Sequence, residues 1–446
     1  MPRKKKSGQK SVPTSNVEIL PTLNTDVISS ICSWLPVPDV KNCRLVSRTW
    51  NVAAKPILKQ KSVINLECSF HKGETARNAK FKREMASFGR PLNHVDISLD
   101  EFAIVDFKSK LYLDHVKFFT KDLSVQKLGI SSQISSIWMS QFLEQILVNA
   151  SPNLVQVELG LYVYGHLMKG EDPFIEFCGG KIFATVKRLE LPFSATNWSL
   201  GTVRVPQILA AFPNIEELRV SAELLPVLFV ERGSSPRFLS KLWVTSGMTG
   251  SKCAALLNLT QPLKHLNIER AHNPSDDEDD WDEEVDVVPS LYEVLSKHRH
   301  TLEYLDLGLS AKCDWKFPPF PNLKRLNFLS DLEGYGFSVE FDGSRILNYS
   351  TTFPKLESLN FTPWDGRWTR CFQPFFHANA AICQSVKRLD ISDNFKFYEY
   401  DNLIDMFKAF DGVDAKFARI LNLFPNADNV FMQELKRYLA KKGVYK

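Results

Sequence analysis

Residues 212–220 read Phe-Pro-Asn-Ile-Glu-Glu-Leu-Arg-Val and join a Pro-Asn turn to the spacing Leu-x-x-Leu-x-Leu, with other aliphatic residues allowed. Similar turns stand at 151–153, 320–322, 353–355 and 424–426. Matches to the leucine pattern begin at Leu92, Val125, Leu154, Val186, Ile215, Leu239, Leu263, Leu302, Leu323, Leu356, Val386 and Ala427. The mean spacing, about 30 residues, predicts repeated units of helix, turn and short strand that bury their apolar faces by stacking.

Two columns of side chains are predicted along one face of this array, because side chains of a strand alternate between faces. The first column, largely basic, is His94, Lys127, Gln156, Arg188, Glu217, Lys241, His265, Tyr304, Arg325, Ser358 and Arg388. The second, largely acidic or amide, is Asp96, Gly129, Glu158, Glu190, Arg219, Trp243, Asn267, Asp306, Asn327, Asn360 and Asp390. Pairing between the columns would neutralise much of the charge, so no nucleic-acid partner is expected.

Large aromatic residues and Arg are frequent anchors of protein interfaces. The predicted contacts with a binding partner in these columns are therefore Arg219, Trp243, Tyr304 and Arg325. For Trp243 an alternative interpretation stays open, in which the ring packs against a neighbouring strand of an irregular repeat.

A short helical segment is predicted before the array. Asn24 or Thr25 can cap a helix that begins at Asp26, where an acidic side chain is favourable. Its apolar face would consist of Val27, Ile28, Ile31 and Leu35. Pro36 and Pro38 are expected to end this helix.

A second helix is predicted to follow, with Asp39 as its cap. Its apolar positions are Val40, Cys43, Val46 and Trp50. Pro56 is expected to limit any further helix. A bundle of this size, about 40 residues, seldom folds without support from a neighbour.

The pairs and spacings Leu20-Pro21, Ile31-x-x-x-Leu35, Asp39, Cys43-Arg44-Leu45-Val46-Ser47 and Trp50 resemble the F-box. In that family the apolar helices dock on a Skp-family adaptor, which in turn binds a cullin. The resemblance implies adaptor contacts at Leu20, Pro21, Val27, Ile28, Ile31, Leu35, Val40, Cys43, Val46 and Trp50. The sequence departs from the family in one respect: Asp26 lies five residues after Pro21, whereas the family's acidic residue usually follows the Leu-Pro pair within two positions. The alternative is a helical cap on the repeat array.

Residues 60–446 resemble leucine-rich repeats, although the spacing is irregular and Asn394 is the only clear asparagine of the kind that many such repeats place after the strand. A further strand at Val63-Ile64-Asn65-Leu66 would open the array. The two resemblances imply an α/β protein, with a small N-terminal helical F-box followed by a leucine-rich-repeat solenoid in an irregular horseshoe. The implied domains are a basic tail at 1–17, the F-box at 18–61 and the array at 62–446.

Composition limits the cellular compartments and the classes of partner that are expected for this chain. The eight cysteines form no Cys-x-x-Cys pair, which favours reduced thiols in the cytoplasm or nucleus and no metal site. No apolar run approaches the roughly 20 residues of a membrane span, and no membrane partner or secretory signal is expected. The net charge is +4, of which the first ten residues contribute +5, so the remainder sums to −1. That basic cluster fits either a nuclear import signal or a solvated tail.

An acidic insertion is predicted at residues 273–288, between two of the repeats. Ser275 to Glu284 contain eight acidic residues around Trp281, too many to pack together, so an exposed loop is expected. Trp281 could dock a basic partner or rest on the array. The aromatic residues between Phe361 and His377 are expected to lie mostly in the core, and an exposed part would be a candidate pocket.

No catalytic residues and no cofactor are predicted, because no phosphate-binding glycine loop or nucleophile motif occurs. The resemblance implies the substrate-recognition subunit of a Skp–cullin–F-box ubiquitin ligase, whose F-box binds the Skp adaptor and whose repeats bind a protein target. The alternative is a non-catalytic leucine-rich-repeat scaffold with no link to ubiquitination. A hydrolase within the C-terminal part is a more distant third.

Overall fold

The computed structural model describes residues 24–68, 93–99, 125–134, 144–150, 152–163, 177–191, 205–230, 236–271, 286–310, 314–331, 338–341, 347–363, 375, 385–391, 433, 437 and 440. The chain divides into two compact units, Met1–Val63 and Ile64–Lys446. In the described part of the chain, no helix is both long enough and apolar enough to cross a membrane. The predicted basic tail at 1–17 lies outside the described residues, as does most of the acidic insertion.

The first unit contains three described helices: α1 (Thr25–Trp34), α2 (Val37–Cys43) and α3 (Arg48–Lys61). The predicted cap of α1 is confirmed, since the side chain of Asn24 accepts a hydrogen bond from the Asp26 amide at 3.1 Å. Lys61 at the end of α3 donates to the carbonyls of Ser33 and Leu35, at 2.6 and 2.7 Å, and so satisfies the C-terminal end of α1.

Three expectations about these helices are wrong. Asp39 does not cap α2, which already begins at Val37, because Pro38 is acceptable in a first turn where the missing N–H needs no partner. The helix predicted to run on to Trp50 ends at Cys43, and α3 begins at Arg48. Pro56 lies inside α3 without ending it. The packing of Ala53 and Ala54 in the core offsets the lost backbone hydrogen bond.

Parallel strands form the framework of the second unit. Their bounds are β1 Val63–Cys68, β2 His94–Leu99, β3 Lys127–Ile134, β4 Gln156–Val163, β5 Arg188–Leu191, β6 Glu217–Ser221, β7 Lys241–Met248, β8 His265–Ala271, β9 Tyr304–Ser310, β10 Asp314–Phe317, β11 Arg325–Asp331, β12 Ser338–Phe341, β13 Ser358–Pro363 and β14 Arg388–Ile391. Twelve of them make one sheet in the order β1-β2-β3-β4-β5-β6-β7-β8-β9-β11-β13-β14. Strands that are neighbours in this sheet are therefore close in sequence.

Strand pairing places both predicted columns in register. From β2 to β14 the first column runs without a break from His94, opposite Lys127, to Ser358, opposite Arg388. The second column is aligned in the same way from Asp96 onward. We call the face of the sheet that bears these two columns the polar face. From β2 to β13 the residues between the columns, such as Leu266 in β8, point to the other side and are buried.

Helices cover part of the apolar side. They are α4 (Val205–Ala211), α5 (Leu225–Phe229), α6 (Gly250–Ala255), α7 (Val287–His298) and α8 (Tyr349–Thr352), and residues 144–149 are also helical. Strands and helices share one core cluster that extends from Val95 to Val386. A single continuous core is expected when short helix-and-strand segments stack side by side, because none of these segments can bury its apolar side alone.

The Pro-Asn turns contact the turn that precedes the neighbouring strand of the sheet. Asn214 donates from Nδ2 to the Ala184 carbonyl at 2.9 Å, and Asn322 donates to the His300 carbonyl at 2.7 Å. Each asparagine thus satisfies a backbone oxygen of the preceding turn. This contact explains why asparagine recurs at a position where many turn-forming residues would fit.

A second, two-stranded parallel sheet of β10 and β12 was not predicted. It buries Trp315 and Phe341 among other phenylalanines. Phe375 joins this cluster, with its ring centroid 4.9 Å from Phe341 and 5.4 Å from Phe361, and it is fully buried. Where the aromatic segment at 361–377 is described, it therefore belongs to the core. Its tryptophans lie outside the described residues.

Candidate interaction surfaces

Among the described residues of the first unit, the three helices and the turns between them expose six large apolar side chains: Val27, Ile31, Trp34, Leu45, Val46 and Val52. We call this set the helical apolar surface. Val27, Ile31 and Trp34 follow one another at four and three residues, so they share one side of α1. Trp34 is 86% exposed and Leu45 85%. Aromatic and aliphatic residues left in water at this level are typical of a surface that binds a partner.

The turn between α2 and α3 presents Leu45 and Val46 from a fixed backbone. The Leu45 amide donates to the Asn42 carbonyl at 2.9 Å, and the Val46 amide donates to the Cys43 carbonyl at 3.2 Å. Arg44 then donates from Nε to Oδ1 of Asn51 in α3 at 2.9 Å. These contacts hold the turn against α3 while the apolar side chains stay in solvent.

The structure divides the predicted adaptor-binding residues into three groups. Val27, Ile31 and Val46 are exposed, whereas Ile28 and Val40 lie inside the helical core. Leu35, Cys43 and Trp50 pack against that core and are partly buried. Leu20 and Pro21 lie outside the described residues. The buried pair therefore positions the helices and has no surface with which to contact a partner.

The predicted adaptor-binding residues did not include Trp34, Leu45 and Val52, whose apolar side chains are also exposed. The spacing of Trp34 from Val27 and Ile31 was a usable signal, since it continues the same side of the helix. Leu45 and Val52 carry no such signal, because their exposure depends on where the turn ends and α3 begins.

On the polar face, ion pairs form within and between neighbouring strands. Arg188 contacts Glu190 at 2.9 Å and Glu217 at 3.8 Å, and Arg219 contacts Glu190 at 3.6 Å. Lys241 also pairs with Glu217. Of these pairs only Arg188–Glu190 joins the two columns, as the sequence predicted. Arg219, a predicted contact residue, pairs with Glu190 within the second column.

Two of the predicted contact residues meet around one histidine. The Trp243 ring centroid lies 4.7 Å from that of His265, which lies 5.7 Å from that of Tyr304. The Arg188 guanidinium lies 5.6 Å from the Trp243 ring. Trp243 is half-buried by these contacts with neighbouring strands, whereas Tyr304 is exposed. The three rings form a row that we call the aromatic row.

Next to the aromatic row, Asp306 accepts several hydrogen bonds. Its donors are Nε2 of His265 at 3.0 Å, Nδ2 of Asn267 at 3.4 Å and the Asn327 amide. Burial raises the pKa of the Asp306 carboxyl, but the bond from His265 and the other donors outweigh burial and hold it below its usual value. Arg325, the fourth predicted contact, donates from Nε to Asn327 Oδ1 at 3.3 Å.

The polar face is more acidic toward β2. Burial, with added repulsion from Glu190 and Asp96, raises the pKa of Glu158 above its ordinary value, against the opposing effect of Lys127. Asp96 in turn contacts Nε2 of His94 at 2.6 Å. Within the described ranges, no three His, Cys, Asp or Glu side chains are placed to hold a metal ion.

The thiols of Cys32, Cys43, Cys178 and Cys253 are free. Cys178 and Cys253 are buried, and burial raises the pKa of each to about 12. Thiols of this kind are poor nucleophiles at neutral pH.

Comparison with known proteins gives one domain assignment. No curated protein matches the chain. Residues 20–56, which include α1, α2 and most of α3, match the model of the F-box domain, and this match supports the assignment of the chain as an F-box protein.

Proposed function

We propose that this protein is the substrate-recognition subunit of a Skp–cullin–F-box ubiquitin ligase. The observation that carries the proposal is the F-box match at residues 20–56, on helices that leave apolar side chains in solvent. F-box domains bind Skp-family adaptors in cullin ligases. The helical apolar surface supports this kind of partner, because its burial would be the main favourable term in association.

The second unit would be a leucine-rich-repeat array that binds a protein target. In support, the strands from β2 to β14 in its twelve-stranded sheet carry the leucine spacing, and its polar face offers exposed side chains in register. The protein would perform no chemistry. It would raise the effective concentration of its target near the ubiquitin-charged enzyme, which is the usual effect of tethering.

Contact with the adaptor is assigned to Val27, Ile31, Trp34, Leu45 and Val46. Ile28 and Val40 would act only by keeping the helices in place, since they are 1% and 0% exposed. Leu20 and Pro21 keep the role that the resemblance gives them.

The test is co-expression with a Skp-family adaptor, followed by size-exclusion chromatography of wild type and of Ile31→Asp/Trp34→Asp. Both positions are exposed, so charges there should leave the core intact and prevent co-elution. The control is Ile182→Asp in the second unit, where one exposed apolar side chain is replaced. Helix content measured by circular dichroism should be the same in all three proteins.

A wild-type chain that elutes alone would overturn the proposal and leave a repeat scaffold without a link to ubiquitination. Retention of the adaptor by the double variant would instead remove α1 from the interface.

A further inference from the structure

From β5 to β7, the cationic side chains of the polar face are more exposed than the carboxylates with which they pair. The side chain of Arg219 is 45% exposed, whereas that of its partner Glu190 is 5% exposed. Lys241 is 43% exposed above Glu217 at 22%. Arg188 is more exposed than both carboxylates that it contacts. The pairs are neutral in sum, but the outer layer that a partner meets is cationic.

The aromatic row continues this cationic layer toward β9. Tyr304 is 40% exposed, and the Trp243 ring lies 5.6 Å from the Arg188 guanidinium and 4.7 Å from the His265 ring. A partner placed here would meet arginine, lysine and aromatic surface together. Arg, Trp and Tyr are the residue types that contribute most to binding energy at protein interfaces.

We propose that this part of the polar face binds an acidic peptide segment of a partner protein. The Asp and Glu side chains of the peptide would contact Arg188, Arg219 and Lys241, and an aromatic or aliphatic side chain of the peptide would contact Trp243 and Tyr304. The inference rests on the proposed function only in calling this partner a ubiquitination substrate.

Charge complementarity selects an acidic occupant over a basic one. A basic peptide would have to displace the outer cations to reach Glu190 and Glu217, which already have partners. The acidic peptide would lie over β5–β9, because the three exposed cations are on β5, β6 and β7 and the aromatic row is on β7, β8 and β9.

The experiment measures fluorescence anisotropy of labelled peptides added to the purified chain without adaptor. One series has Asp and Glu around a single Phe, the second replaces every Asp and Glu by Asn and Gln, and the third by Lys. The protein variant is Arg219→Gln/Lys241→Gln. It leaves Arg188 within reach of both carboxylates, and Glu190 also keeps the bond from Gln156 at 2.7 Å.

The matched control is Lys187→Gln/Lys324→Gln. It removes the same charge from exposed lysines that pair with Glu216 and Glu303 at 2.9 and 2.6 Å, outside the two columns. We expect only the acidic series to bind, more weakly as salt rises. The polar-face variant should lose about tenfold in affinity, and the control should lose little.

Equal binding of the acidic and amide series, no binding of any acidic peptide, or an unchanged affinity of the polar-face variant would each overturn the inference. Binding that appears only after deletion of residues 275–284 would assign the surface to the chain's own acidic segment and would overturn the external partner. Since no adaptor is present, failure here leaves the adaptor experiment standing, and failure of the adaptor experiment leaves this one standing.

Discussion

His298 shows how burial can outweigh a favourable position at a helix end. It is the last residue of α7, where a protonated imidazole would interact well with the helix dipole. The side chain is nevertheless buried, and the Leu263 amide donates to its Nδ1 at 3.4 Å, a role that needs the neutral ring. Burial, assisted by Lys297, lowers the pKa of His298 to about 4.

The pH dependence of stability should therefore contain a contribution from His298. The folded-state pKa of about 4 is below the ordinary value of 6.5, so the unfolded chain binds more protons in between. This stability is complete above about pH 6.5 and declines as the pH falls toward 4. At pH 5 the free energy of unfolding should be lower by about 2 kcal/mol than at pH 7.5 from this group.

Urea unfolding at pH 7.5 and pH 5 measures this effect. His298→Asn should be less stable at neutral pH but should lose less stability on acidification than wild type. His300→Asn, which changes an exposed imidazole two residues later, is the control and should keep the wild-type difference. An identical pH difference in wild type and His298→Asn would contradict the assignment.

At the scale of strands, Gly308 in β9 is required by an irregularity in β8. The register of the pair shifts between Ile268 and Ala271. The shift brings the Glu269 carbonyl against the α-carbon of Gly308, so that a β-carbon there would overlap the carbonyl and approach the Arg270 nitrogen to 3.1 Å. Backbone atoms cannot move aside as a flexible side chain can.

Gly308→Ala should lower the free energy of unfolding by about 1–3 kcal/mol, the usual effect of overpacking. Gly160→Ala in β4 is the control, because its new methyl group would lie 3.7–3.8 Å from its neighbours, an ordinary contact. Chemical denaturation of both variants makes the comparison. Equal stability of the two would mean that β8 adjusts without strain.

Ser47 caps the N-terminus of α3, and its Oγ accepts a hydrogen bond from the Trp50 amide at 3.2 Å. Ser47→Ala should destabilise the helical unit by about 1 kcal/mol, because an N-terminal amide loses its partner. Ser47→Asp, which restores an acceptor at the helix N-terminus, should recover most of that loss. Hydrogen exchange of the α3 amides, followed as the temperature is raised, checks both predictions. If Ser47→Ala were as stable as wild type, the cap would not contribute to the stability of this helix.

The direction of a side chain could be predicted from the sequence where it depends only on the position of the residue within its own leucine pattern. Both columns were predicted to the residue, since an inward leucine at a constant offset fixes which side each neighbour faces. β10 and β12 were missed because their pairing joins Asp314 to Ser338, outside any repeat. In α1, Val27 and Ile28 are equally apolar and adjacent, yet one is exposed and the other buried. Their difference depends on where α2 and α3 pack, which helical spacing alone does not determine.

At the scale of the whole molecule, each unit has a core of its own. In the first unit Ile28, Cys32, Val40, Ala53 and Ala54 make one small cluster. In the second, the buried leucines form one cluster along the sheet. A core substitution should therefore be felt first inside its own unit. The smaller core buries less apolar surface, so the same truncation should remove a larger share of the stability of its unit.

Paired truncations test this independence. Leu266→Ala in β8 should destabilise the second unit by about 2–5 kcal/mol and speed hydrogen exchange in β7, β8 and β9, because each strand is paired only with its neighbours. Adaptor binding by this variant should stay at the wild-type level. Ile28→Ala should do the reverse, with loss of protection in α1 and α3, weaker adaptor binding and unchanged exchange in the sheet. Hydrogen exchange read by mass spectrometry gives both patterns in one experiment. If either variant lowered protection equally in both units, the two cores would unfold as one, and the adaptor-binding and target-binding roles would have to be assigned to a single cooperative structure.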